Sequence, residues 1–138
     1  MSKPKLLSSV RVGGEDGGYL KRFSHSSSST GGEMTFSLFL PSSYKANVNA
    51  DKVTPVLFWL SGLTCDDTNF CLKAGPRAFD AANRQGVAIV MPDTSPRGDG
   101  VANVDSYDLG QGAGFYVSFW KLFLSVVRSV FACCPFMC

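Results

Sequence analysis

The turn Leu60-Ser61-Gly62-Leu63-Thr64-Cys65 is where this sequence is best equipped for chemistry. It follows Val56-Leu57-Phe58-Trp59-Leu60, apolar at every position as expected of a strand buried on both faces. Open α/β sheets bind their ligands at the carboxyl ends of such strands. A small turn there can aim backbone N–H groups at a developing oxyanion, with Gly62 allowing close approach, or it can be a tight strand-to-helix connection without chemistry. Asp93-Thr94-Ser95-Pro96-Arg97-Gly98 has the composition of a capped turn, in which Asp93 or Ser95 bonds backbone N–H groups, Pro96 fixes φ and Arg97 pairs with an acid. Gly110, Gly112 and Gly114 match neither a dinucleotide fingerprint nor a P-loop.

The elements that must position these residues follow from periodicity. Residues 19–23 make a short strand candidate, and Ser26 to Gly32 a small-residue loop. Met34, Phe36, Leu38 and Leu40 alternate on one face of a second strand that Pro41 ends. Residues 45–52 read as polar loop. Phe70, Ala74, Ala78, Ala81 and Ala82 recur at helical spacing over residues 69–85, with Gly75-Pro76 dividing the helix and Gly86 stopping it. Val87-Ala88-Ile89-Val90-Met91 is a further buried strand, so residues 53–91 form a β-α-β unit. Residues 92–114 have no sustained period and read as a long surface loop bordering a site. The expected fold class is α/β with a mainly parallel sheet.

Composition sets outer limits. Of 138 residues, 45% are hydrophobic and 17% charged, which suits one globular domain. A net charge of +2 from scattered Lys and Arg gives a nucleic-acid partner no support. The five cysteines, Cys65, Cys71, Cys133, Cys134 and Cys138, form no CxxC pair, and one histidine cannot complete the usual zinc spacings. The first residues lack the apolar stretch of a secretory signal, so a cytoplasmic location is the expectation.

Three segments in this order, Phe58 to Cys65, Met91 to Gly98 and Gly110 to Val117, resemble the S-formylglutathione hydrolase (esterase D) family of α/β-hydrolases, over roughly residues 17–117. The resemblance implies a serine thioesterase and carboxylesterase that releases glutathione and formate from S-formylglutathione in formaldehyde detoxification, with no metal or organic cofactor. It puts one oxyanion donor on the Leu63 amide beside Gly62. It also places Cys65 near the catalytic pocket, either as a redox-sensitive thiol or as an inert buried cysteine, since no histidine or basic cluster stands near it in sequence. His25 falls at a structural histidine of the family, and Asp93 is not the triad acid.

An α/β-hydrolase takes its nucleophile from a Gly-x-Ser-x-Gly elbow, followed by an acid and a histidine. The 138 residues contain no such elbow, and His25 is their only histidine, so the catalytic triad is not present. The expectation is a fragment or truncated isoform, inactive alone: residues 1–117 the N-terminal part of the hydrolase domain, and residues 118–138 a divergent apolar tail. A switch after Val117 is what an alternative exon, a retained intron or a gene-model error produces. Within the tail, Ser118, Lys121, Ser125, Arg128 and Ser129 form a narrow polar stripe on an otherwise apolar amphipathic helix. Two charges in about 14 residues argue against a membrane span, which needs about 20. Such a helix can lie on a membrane surface, pack on the sheet or drive aggregation and homo-oligomers. The rival function is a non-catalytic product that binds full-length subunits or a membrane surface through the tail.

Overall fold

Alternation of apolar side chains forms the centre of the sheet. In strand β3, Gly32–Leu40, the side chains of Met34, Phe36, Leu38 and Leu40 are buried on one face together with Phe23, Ala88 and Val90. Phe39 points to the other face and joins Ile89, Met91, Phe70, Phe79 and Ala82. Each such aromatic or aliphatic side chain removed from water contributes about 1.5–3 kcal/mol, which makes β3 and its neighbour β5, Ala88–Pro92, the stable spine. The computed structural model describes residues 3–28, 30–50, 52–101, 103–106 and 110–112. The apolar tail at residues 118–138, with its expected amphipathic helix, lies outside the described residues.

The strands β1 (Lys5–Val12), β2 (Gly18–Ser27), β3, β4 (Val56–Phe58) and β5 stand in the order β1-β2-β3-β5-β4. The fold class is α/β, but the mainly parallel sheet expected from sequence is corrected to a mixed one. The β1–β2, β2–β3 and β3–β5 pairs are antiparallel, and only β4–β5 is parallel. Short turns after β1 and β2 can join only antiparallel neighbours, whereas a parallel pair needs a long crossover. The segment between β4 and β5 supplies that crossover, as the β-α-β pattern implies.

Its two helices are α2 (Asn69–Lys73) and α3 (Gly75–Gln85). Pro76 in the first turn of α3 prevents continuous helix, and Gly86 at φ 67° closes α3 in the left-handed conformation glycine favours. A ladder of rings ties the helices to the sheet: Phe39 stacks on Phe79 at 4.7 Å, Phe79 meets Phe70 edge-on, and Phe70 lies 4.6 Å from Trp59 just beyond β4.

Three further expectations need correction. Residues 45–52, read as loop, include the short helix α1, Tyr44–Asn49, which has no buried residue and therefore no apolar period to betray it. The apolar run through Leu60 is not buried on both faces. Among the described residues β4 is the edge of the sheet, and Leu57, Trp59 and Leu60 are exposed. The loop after residue 23 starts later than expected, because β2 continues through His25 and Ser26 to Ser27.

Candidate functional site

Trp59 donates its N–H to the Val90 carbonyl, the last rung of the parallel ladder, and the chain then leaves the sheet through Ser61, which is buried, and Gly62, which is exposed. The next residues form a closed turn. The Cys65 N–H donates to the Gly62 carbonyl at 3.1 Å, and Thr64 between them has φ 63°. A β-branched residue in that region is strained, a state that persists only when its surroundings enforce it. The enforcing contacts come from the segment after β5. The Thr64 N–H donates to the Gly112 carbonyl at 2.7 Å, and the Arg97 Nη2 donates to the Cys65 carbonyl at 3.0 Å. Among the described residues the half-buried Leu63 offers an N–H with no acceptor.

The segment that braces the turn is itself braced. Asp93 accepts from the Ser95 N–H at 3.0 Å, one of the two caps expected from sequence, and from Arg97 Nε at 2.6 Å, which identifies the acid that the sequence left open as the partner of Arg97. Burial pushes the Asp93 carboxyl above its ordinary value, outweighing the downward pull of Arg97 and the Ser95 amide. Burial also works against the charge on Arg97, but Asp93 prevails and holds its guanidinium more firmly protonated. The Ser95 hydroxyl accepts from the Gly112 N–H at 2.8 Å. Gly112, at φ 86°, would bring an added Cβ to 3.4 Å from Arg97 Nη1, so its lack of a side chain permits this close approach. Gln111 exchanges two hydrogen bonds with the backbone of Gly98.

On the other side of the turn stands a carboxylate that sequence reasoning missed. Asp67 is fully buried, and its two oxygens accept from Arg22 Nε at 2.8 Å, Arg22 Nη2 at 2.9 Å, the Thr35 hydroxyl at 3.0 Å and the Ser37 hydroxyl at 2.8 Å. The partners lie 30 to 45 residues away on β2 and β3, so no local spacing could announce them. Next to it, Asp66 accepts from the amide and hydroxyl of Thr68, and its own N–H donates to Asn69 Oδ1. Burial pushes the Asp66 carboxyl up, but those two bonds and the nearby Arg97 and Arg22 bring it below its ordinary value.

Two other residues, His25 and Cys71, lie outside this turn. His25 is buried on β2 with its ring edge-on to Phe36, and burial lowers its pKa despite the opposing charge of Glu33. That is a core histidine. Cys71 on α2 lies 3.7 Å from the Met91 sulfur, and burial raises its thiol to about 11. Cys65 is half-buried within the turn. The described residues hold no group of three or more metal-ligating side chains, and no described helix is long and apolar enough to cross a membrane.

What the described arrangement can do is present a backbone donor from a rigid turn at the carboxyl end of β4. The family described as "Putative esterase" matches residues 27–120. The chain is 46% identical over 121 residues to an S-formylglutathione hydrolase of Arabidopsis thaliana, a match spanning 82% of this chain and 40% of that protein. An S-formylglutathione hydrolase from Agrobacterium tumefaciens superposes with a TM-score of 0.68 at 35% identity, over 82% of this chain and 38% of the other. A ferulic acid esterase from Anaeromyces mucronatus, at 17% identity and a TM-score of 0.51 over 94% of this chain and 46% of its own, shares the fold alone. The chain therefore spans about two fifths of the length of the S-formylglutathione hydrolases it matches.

Proposed function

The chain belongs to the esterase family and is similar to its S-formylglutathione hydrolases, and from that premise we propose that it carries the oxyanion-binding part of a serine thioesterase acting on S-formylglutathione. The observation that carries the proposal is the turn itself: a strained Thr64, two backbone braces from residues 97 and 112, and the Leu63 N–H without an acceptor among the described residues. Preorganised donors of this kind gain most when charge develops on a carbonyl oxygen.

In the complete reaction a serine oxygen attacks the thioester carbonyl as its proton passes to a base, which later returns that proton to the leaving thiolate. The C=O electron pair moves onto the oxygen, and that oxyanion is held by the Leu63 amide and a second donor. Collapse breaks the C–S bond, and glutathione leaves after protonation of its thiolate. Water then hydrolyses the formyl-serine ester to formate and regenerates the serine hydroxyl. The 138 residues supply neither a Gly-x-Ser-x-Gly elbow nor a histidine outside the β2 core. The chain by itself is therefore inactive. Its proposed place is the cytoplasm, where S-formylglutathione would be met.

A non-catalytic role is the second reading, favoured by one observation. Leu57 on β4, the edge strand among the described residues, and Trp59 and Leu60 just beyond it are exposed and suit pairing with a full-length subunit. Assaying the purified chain with S-formylglutathione and p-nitrophenyl acetate tests the primary proposal. No turnover above a protein blank is expected, and hydrolysis abolished by a serine-directed inhibitor would overturn it. Co-purification with a full-length hydrolase would favour the second reading.

A further inference from the structure

We infer that Arg97 is the positioning residue of the Gly62-to-Cys65 turn, setting the direction of the Leu63 amide without touching substrate. The inference deepens the oxyanion assignment proposed above and rests on it. One guanidinium spans two segments 32 residues apart in sequence: Nε holds the buried Asp93 carboxylate at 2.6 Å and Nη2 holds the Cys65 carbonyl at 3.0 Å. The Asp93 anchor is immobile, because its other oxygen accepts the Ser95 N–H at the end of the buried strand β5. The bond to the Cys65 carbonyl fixes the Cys65–Asp66 peptide, where the turn ends. The Leu63–Thr64 peptide within the turn is held by Gly112, whose position Ser95 sets in turn. The Leu63 N–H lies in the Gly62–Leu63 peptide, whose carbonyl accepts the Cys65 N–H at 3.1 Å, so with Thr64 held at a positive φ the orientation of the donor depends on the same knot.

A planar fork that bonds two acceptors in fixed directions is the property lysine lacks. Arg97→Lys keeps a cation beside Asp93 and gives up the directed bond to Cys65. The test is hydrogen–deuterium exchange of the 138-residue chain, comparing wild type, Arg97→Ala and Arg97→Lys. Arg84→Ala, which removes the exposed pair with Asp80, serves as the control. Exchange is read at the amides of Thr64 and Cys65 against those of β3 and β5. Loss of a charge-assisted hydrogen bond should raise turn exchange about tenfold or more in both Arg97 variants. In Arg97→Lys, β3 and β5 should exchange as in wild type, and Arg84→Ala should change neither region.

Unchanged turn amides in both Arg97 variants would overturn the inference. So would acceleration of β3 and β5 in the same proportion, which would make Arg97 a general stabiliser. If Arg97→Ala fails to fold, Arg97→Lys decides by the same two comparisons. The readout needs no turnover. A turn that loosens as expected, in a protein whose Leu63 amide proves irrelevant to hydrolysis, would sink the oxyanion assignment and leave the role of Arg97 in the turn standing.

Discussion

Removing Asp67 should be among the most damaging single changes in this chain, and removing Arg22 should be worse. Asp67→Ala strips four hydrogen bonds at once: two from Arg22, one from Thr35 and one from Ser37. The Arg22 side chain is 38% exposed and can turn to water, so the lasting damage is the buried Ser37 hydroxyl, the cavity and the lost charge-assisted bonds. Together these cost about 2–3 kcal/mol. Arg22→Ala instead leaves a carboxylate of zero exposure with only two hydroxyl donors, and breaking a buried pair from that side costs about 3–5 kcal/mol. Against a typical domain stability of about 5–15 kcal/mol, either loss moves a urea midpoint substantially. Urea unfolding of both single variants and the double variant tests this, with the double costing less than the sum because the two residues act on one network. A cost below about 1 kcal/mol for both single variants would refute the reasoning and mean that water replaces the network freely.

Three other outcomes are expected. Burial lowers the His25 pKa, so the folded protein binds the proton less well than the unfolded chain. Stability is therefore full above pH 6.5 and falls as pH drops through that value towards the lowered pKa, and urea midpoints across this window should flatten in His25→Gln. Gly112→Ala, forced to φ 86° with its Cβ against Arg97, should cost about 1–2 kcal/mol of stability by urea unfolding, whereas a neutral result would mean that the loop relaxes. The exposed apolar residues on and just beyond β4, Leu57 at 49% and Trp59 at 44%, should make the chain self-associate at tens of micromolar, and Leu57→Lys should reduce this in sedimentation velocity. A wild-type monomer with a sharp, reversible melt would contradict that.

Legibility followed burial. β3 and β5 were readable because their apolar residues are buried with the period of the element, and α2 and α3 because Phe70 and Ala82 are buried at helical spacing, although Ala74 and Ala81 of the same pattern are exposed. Gly75-Pro76 and Gly86 punctuate the helices where their backbone constraints require. β1 left no trace in the pattern, since Leu6, Leu7 and Val10 are all exposed and alternation has nothing to report. β4 misled for the opposite reason: an apolar run implies two covered faces, yet β4 has a described strand on one side only. At the site, the turn and the capping role of Asp93 were visible because they are local, while the acid that pairs with Arg97 was left open until the fold showed it to be Asp93. The Asp67 network and the bond from Arg97 to the Cys65 carbonyl join segments far apart in sequence and became visible only in the fold.

The central claim is that the Leu63 amide is an oxyanion donor awaiting a nucleophile. It is tested most directly by joining the serine-bearing part of an S-formylglutathione hydrolase after Val117, in place of residues 118–138, and comparing turnover of S-formylglutathione with and without Leu63→Pro, which deletes that one N–H. The account predicts an active hybrid that Leu63→Pro slows by about two to three orders of magnitude while leaving the fold intact by circular dichroism. A folded, active hybrid indifferent to Leu63→Pro would contradict it.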